Sequence, residues 1–243
     1  ERPNPDLKVR KALDRAAEKA GTRFARQPLT EAAVRAAIGN SYLGIGLPAK
    51  AAAQFQRVID LRQAALGPEH ADTLTAKAKL ARSFYDDGKF PEAAALQNEI
   101  LAVQTRVLGA EHPATLTTAN DLGDTLFEQA KYAEAAEIQV RTLAIRQRVL
   151  GPEHPDTIWS MGNLGNTYNR QGKIAEAVKL ETAALALRTK VLGAEHPATL
   201  NTASNLAESY RGAGRYAEAA ALQTRNLEIS RRVLGPEHYQ TLT

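Results

Sequence analysis

The chain has 243 residues, of which 44% are hydrophobic and 24% charged, with a net charge of +4 and no cysteine. That size fits one or two ordinary domains. The lack of cysteine excludes a disulfide framework and thiolate metal sites, and no apolar run approaches the ~18–20 residues of a membrane span. The 31 basic and 27 acidic residues are mixed along the chain, whereas nucleic-acid binders gather positive charge on one face, so no nucleic-acid partner is expected.

In chain order, residues 6–25 place Leu7, Val9, Leu13, Ala16, Ala17, Ala20 and Phe24 at helical spacing, which predicts a helix with one apolar stripe. From residue 28 a 42-residue period takes over: His70, His112, His154, His196 and His238 are evenly spaced, and VLGAEHPATL occurs twice, at 107–116 and 191–200. A fixed period of this length means stacked supersecondary units. The repeats run 28–70, 71–112, 113–154, 155–196 and 197–238, followed by the start of a further helix.

Each period splits into two helices. In the repeat at 113–154, Leu116, Ala119, Leu122, Gly123 and Leu126 mark one helical face, and Ala135, Ala136, Ile138, Leu143 and Ile145 mark a second. Pro113, Pro155 and Pro197 suit a first helical position, where a missing N–H costs nothing. Gly88, Gly172 and Gly214 mark the turn between helices, with Ala130 as the departure. Glu92, Glu134, Glu176 and Glu218 open the second helix and Arg106, Arg148, Lys190 and Arg232 close it, complementing the helix dipole. The Val-Leu-Gly that follows predicts a left-handed glycine stop. The first repeat is degenerate: Ile38-Gly39 and Tyr42 keep register, while Pro48 and Lys50 replace the aromatic and acidic residues of the other repeats.

The Glu-His pairs are the obvious lure for metal or catalytic chemistry. Equivalent positions on neighbouring repeats are about 8–10 Å apart, too far to converge on one ion with bonds of about 2 Å. Helix-junction packing and capping is therefore the expected role, with no metal and no cofactor. Gly44-Ile45-Gly46 lacks the third glycine of a nucleotide loop and aligns with the turn glycines. No nucleotide-binding lysine motif and no H-E-x-x-H, G-x-S-x-G or kinase signature occurs, so the chain is expected not to be an enzyme.

Leu122-Gly123 with Leu126 and Ala135, Leu164-Gly165 with Tyr168 and Ala177, and Leu206-Ala207 with Tyr210 and Ala219 resemble the tetratricopeptide repeat (TPR) pattern. The 42-residue period with GPEHPDT at the junction resembles the kinesin-light-chain type. It is also similar to the C-terminal TPR regions of membrane-anchored bacterial serine/threonine protein kinases, which open with a segment like residues 4–47. The resemblance implies an all-α, right-handed superhelical solenoid of antiparallel helix pairs (28–243) behind an N-terminal capping helix (1–27). The chain starts at Glu1 and stops at Thr243 just after a repeat restarts, which reads as a piece of a longer protein. It would be cytoplasmic or tethered to a membrane through a missing segment, without inserting in the membrane itself. Any kinase domain would lie outside it.

In TPR arrays the first helix of each pair lines a concave groove. By that resemblance the candidate groove positions are Lys79, Arg82 and Tyr85; Asn120, Asp124 and Phe127; Trp159, Asn163, Asn166 and Arg170; and Asn201, Asn205, Glu208 and Arg211. Their identities vary while the core positions repeat. Asn can bond both donors and acceptors of a peptide backbone, and Trp and Arg are common interface anchors. The expected function is a protein- or peptide-binding scaffold in bacterial signalling, with self-association into a homo-oligomer as the alternative.

Overall fold

A computed structural model describes residues 5–233 and Gly235. The described residues form α1 (Pro5–Arg23), α2 (Pro28–Gly44), α3 (Pro48–Leu66), α4 (Ala71–Asp86), α5 (Phe90–Val107), α6 (Pro113–Glu128), α7 (Tyr132–Val149), α8 (Pro155–Arg170), α9 (Ile174–Leu192), α10 (Pro197–Gly212) and α11 (Tyr216–Val233), and no strand. The chain divides into two compact units, residues 1–125 and 126–243.

In the first unit α1 packs on α2, α2 on α3, α3 on α4 and α4 on α5. The second helix α3 thus lies between the first helix of its own pair, α2, and that of the next, α4. Its core joins Ile38, Tyr42, Phe55, Val58, Ile59 and Leu80, with Leu13 and Ala17 of α1 packed against it. Polar bonds also tie α1 down. Asp14 accepts from the Tyr42 hydroxyl at 2.6 Å and pairs with Lys50. Lys50, out of pattern as a repeat residue, therefore has a use specific to the first repeat. The predicted stripe on α1 is corrected in part: Leu13 and Ala17 pack on the core and Ala20 is buried, Phe24 is half-buried just past the helix end, and Val9 and Ala16 are exposed. Among the described residues α1 packs on one side, against α2, so the part of the stripe turned from α2 stays exposed. Leu7 lies outside the described side chains.

The second unit repeats the scheme: α7 on α8, α8 on α9, α9 on α10 and α10 on α11, with α8 also touching α10. Ile158, Met161, Leu164, Leu143 and Ala184 form its core, backed by Tyr168, Leu180 and Leu187.

The small residue after the repeated leucine has a steric cause. A Cβ on Gly39 would stand 2.9 Å from the Phe55 ring, and one on Gly165 only 2.6 Å from Glu181 Cγ. The second helix drives a side chain into the first, and glycine makes the slot. Positions 97 and 139, in the same register, hold the buried residues Gln97 and Gln139, and Gln139 Oε1 accepts from Thr167 Oγ1 at 2.7 Å.

The junctions explain the Glu-His pair. Nδ1 of His70, His112, His154 and His196 each accepts the backbone N–H two residues on, at 3.1–3.2 Å. The histidine is the N-cap, a role in which a side-chain acceptor contributes about 1 kcal/mol. Glu69, Glu153 and Glu195 instead reach across to Arg106, Lys190 and Arg232, the basic ends of the next second helices. His238 lies outside the described residues. The stop glycine differs from expectation. Gly67 has φ 96, ψ 161 and Gly193 φ 92, ψ 159, an extended mirror-image region open essentially to glycine alone rather than the left-handed helical one. The chain must leave the helix and turn at once into the next cap, and an extended residue gives that direction. Thr199 Oγ1 fastens the turn by donating to Gly193 O at 2.8 Å. Between the helices of the third repeat, Ala130 adopts φ 57 where the other repeats have glycine.

Candidate groove in the second unit

The outward face of each first helix is fixed by its buried one. In α8, Thr157, Ile158, Met161, Leu164, Gly165 and Thr167 are buried, which leaves Trp159, Asn163, Asn166 and Arg170 on the other side. In α10, burial of Leu200, Ala203, Leu206 and Ala207 leaves Asn201, Asn205 and Glu208 outward. Phe127, Asn166, Asn169, Arg170, Asn205 and Glu208 line one polar cleft of about 360 Å³. Five of these six were sequence candidates.

Asn169 is the sixth, and it was missed. It donates to Ser209 Oγ at 2.9 Å, bridging α8 to α10 at the cleft floor. Strict use of the period finds it, because Asn169 lies forty-two positions from both Phe127 and Arg211. Glu208 pairs with Arg211 at 3.0 Å, while Arg170 is exposed and forms no ion pair with a described residue. Phe127 stacks edge-on against Tyr132, with centroids 5.4 Å apart, so it also holds the turn between α6 and α7.

Trp159, Asn163, Asn201 and Arg211 do not line this cleft. Trp159 is 52% exposed, and its ring lies 5.9 Å from the Arg188 guanidinium. Arg188 is itself buried; it donates to Ala198 O at 2.7 Å and Thr202 Oγ1 at 2.6 Å. Burial lowers its pKa from the ordinary arginine value. Arg146 makes the equivalent contacts one repeat earlier, to Asp156 O and Ser160 Oγ, so the arginine is a repeated spacer between successive pairs. Only beside α8 does a tryptophan lie over it.

In the first unit, Lys79 and Arg82 are exposed on α4. Arg82 pairs with Asp86 at 2.8 Å and lies 5.5 Å from the Tyr85 ring. Tyr85 is half-buried against Phe90. Asn120 is corrected: it is 6% exposed, with Nδ2 donating to Asp124 Oδ2 at 3.2 Å. The outward residue is its neighbour Asp121, forty-two positions from both Lys79 and Asn163. Strict use of the period would have found it.

Among the described residues no group of three or more His, Asp or Glu could hold a metal, and no helix is long and apolar enough to cross a membrane. Two tetratricopeptide repeat models match the sequence, one over 30–104, 75–147 and 127–190, the other over 199–240. No curated protein matches the chain. A solved Podosopora anserina protein with nearly identical TPR-like repeats, titled as a kinesin light chain, is 28% identical with a TM-score of 0.73, covering 82% of this chain and 94% of that one. BtubC (BKLC) from P. vanneervenii is 20% identical with a TM-score of 0.73, covering 94% and 91%. YrrB, titled a TPR protein with an unusual peptide-binding site, is 15% identical with a TM-score of 0.55, covering 93% and 97%. With the family models spanning most of the sequence, the chain belongs to the tetratricopeptide repeat family.

Proposed function

We propose that the chain is a non-enzymatic scaffold that binds a protein or peptide segment along the outward faces of its first helices. The observation that carries this reading is the cleft between α8 and α10, where the side chains of Asn166, Asn169 and Asn205 gather beside Arg170. Amides present donors and acceptors together, as an extended backbone requires, and the half-exposed Trp159 supplies an apolar anchor nearby. Lys79, Arg82, Asp124, Asn163, Asn201 and Arg211 would extend the contact surface, each within its own unit. The peptide-binding site in YrrB's title is in keeping with this reading.

We read residues 1–27 as the cover of the array at 28–243, supported by the Asp14 tie to Tyr42 and Lys50. We read the whole as the recognition part of a larger bacterial signalling protein, supported by the likeness of residues 4–47 to kinase-associated arrays. Self-association is favoured by one observation: Val107, Val149, Val191 and Val233, at the ends of the second helices, are each 40–50% exposed. The restarted helix at 239–243 lies outside the described residues.

Peptide-library binding to the chain tests the groove. Asn166→Ala, Asn205→Ala and Trp159→Ala should each weaken captured peptides by about fivefold or more, the worth of one net hydrogen bond or anchor. Lys131→Ala, away from the cleft, should not. Unchanged binding in all three variants removes the cleft from the reading. Light scattering over a concentration series reads the oligomer, and a dimer that blocks peptide capture would favour self-association.

A further inference from the structure

The charge is not spread as evenly as its totals suggest. Residues 1–27 hold eight Lys or Arg and four Asp or Glu, so the entire net charge of +4 sits there and the remaining 216 residues are neutral. On α1, Lys8, Lys11, Arg15 and Lys19 are all exposed. At 100° per residue they fall within an arc of about 80°, and they span about 16 Å of helix. The arc points away from Leu13, Ala17 and Ala20, the residues that face α2. None of the four basic residues has an ion pair with a described residue. Elsewhere the exposed bases are often answered, as Arg106 is by Glu69 and Arg232 by Glu195. On α1 itself Asp14 is engaged by Lys50 and Tyr42 and faces Arg10 at 4.0 Å, and Glu18 is the carboxylate left near the stripe.

We infer that the outer face of α1 docks on an anionic lipid surface, with Lys8, Lys11, Arg15 and Lys19 against the headgroup phosphates. Charge complementarity selects an anionic partner, and three features select a membrane. The stripe is straight and lies on the side of α1 turned away from α2, whereas Asp14, which reaches Lys50 of α3, lies outside it, so a flat surface can meet all four cations together. Ala12 borders it, and the exposed Ala16 and Val9 (45% exposed) follow on that one side, toward the residues that face α2, giving the basic-and-apolar make-up of a helix lying in an interface. No aromatic residue interleaves with the cations, as stacking on nucleic-acid bases would need.

Co-sedimentation of the 243-residue chain with phosphatidylcholine vesicles, with and without about 30% phosphatidylglycerol, tests this. Binding is expected only with the anionic lipid, falling steeply with salt. Replacing Lys8, Lys11, Arg15 and Lys19 together by Gln should lower partitioning by about a hundredfold or more, since each basic residue near an anionic membrane acts almost independently. Replacing the exposed Lys131, Lys173, Lys179 and Arg231 by Gln makes the same change in net charge and should leave partitioning within about threefold, because screening confines each charge to its own neighbourhood. Circular dichroism and thermal melts confirm that both variants fold. Equal binding to neutral vesicles, equal loss in both variants, or displacement of the vesicles by duplex DNA or an acidic polypeptide at matched charge would each overturn the inference.

Discussion

Replacing Glu181 by glutamine should stabilise the second unit, and the gain should depend on pH in a defined way. The Glu181 side chain is fully buried, driven from α9 under Gly165 of α8 and beside Ser209 of α10. Burial pushes its carboxyl from the ordinary 4.5 up to about 7, with the Ser209 hydroxyl pulling weakly the other way. The folded chain therefore holds the proton more tightly than the unfolded chain. The stability this confers is complete below pH 4.5 and is lost as pH rises through about 7. At about 1.4 kcal/mol for each tenfold change in proton affinity, the loss is about 3 kcal/mol. Glutamine keeps the shape and cannot ionise, and Gln97 and Gln139 already occupy this register. Glu181→Gln should thus match the parent near pH 4.5 and exceed it by up to about 3 kcal/mol near pH 8.5. Urea unfolding followed by Trp159 fluorescence reads the second unit directly, since Trp159 is the only tryptophan. Stability curves that run parallel from pH 4.5 to 8.5 would refute the reasoning.

Two further changes probe the repeat's joints. Ala130→Gly should raise stability by about 1 kcal/mol, because Ala130 adopts a positive φ that penalises any Cβ; urea or thermal unfolding reads it, and a loss would mean the turn is held by something other than backbone preference. His154→Ala should cost about 1 kcal/mol by orphaning the Asp156 N–H, with His154→Ser recovering most of it. Equal losses in both variants would assign the histidine to packing.

The period made most of the helical scheme legible, because Pro, Gly and the capping His are local signals that carry their own geometry. Asn120 lies one residue off the register that joins Lys79 to Asn163, and one residue on a helix turns a side chain by 100°, here from groove to core. Glu181 escaped for another reason. Its environment is made by three helices at once, and nothing in the α9 sequence says that a carboxylate in an amphipathic run points into a slot on α8. Arg188 is similar: a basic residue near a helix end reads as dipole compensation, whereas its guanidinium spans to the next pair. Val9 and Ala16 belong to the apolar pattern of α1 yet are exposed, because the pattern alone does not say which of its residues the neighbouring helix covers.

The link from Glu153 to Lys190 spans 37 residues, as does that from Glu195 to Arg232. Each tie is thus shorter than the period and closes before the next one is complete. Cutting out any forty-two consecutive residues within the regular stretch rejoins like to like, and every junction recovers a carboxylate, a cap and a cation. Such a chain can gain or shed modules without inventing a new contact, so its length is free to drift under selection while the residues facing a ligand change independently.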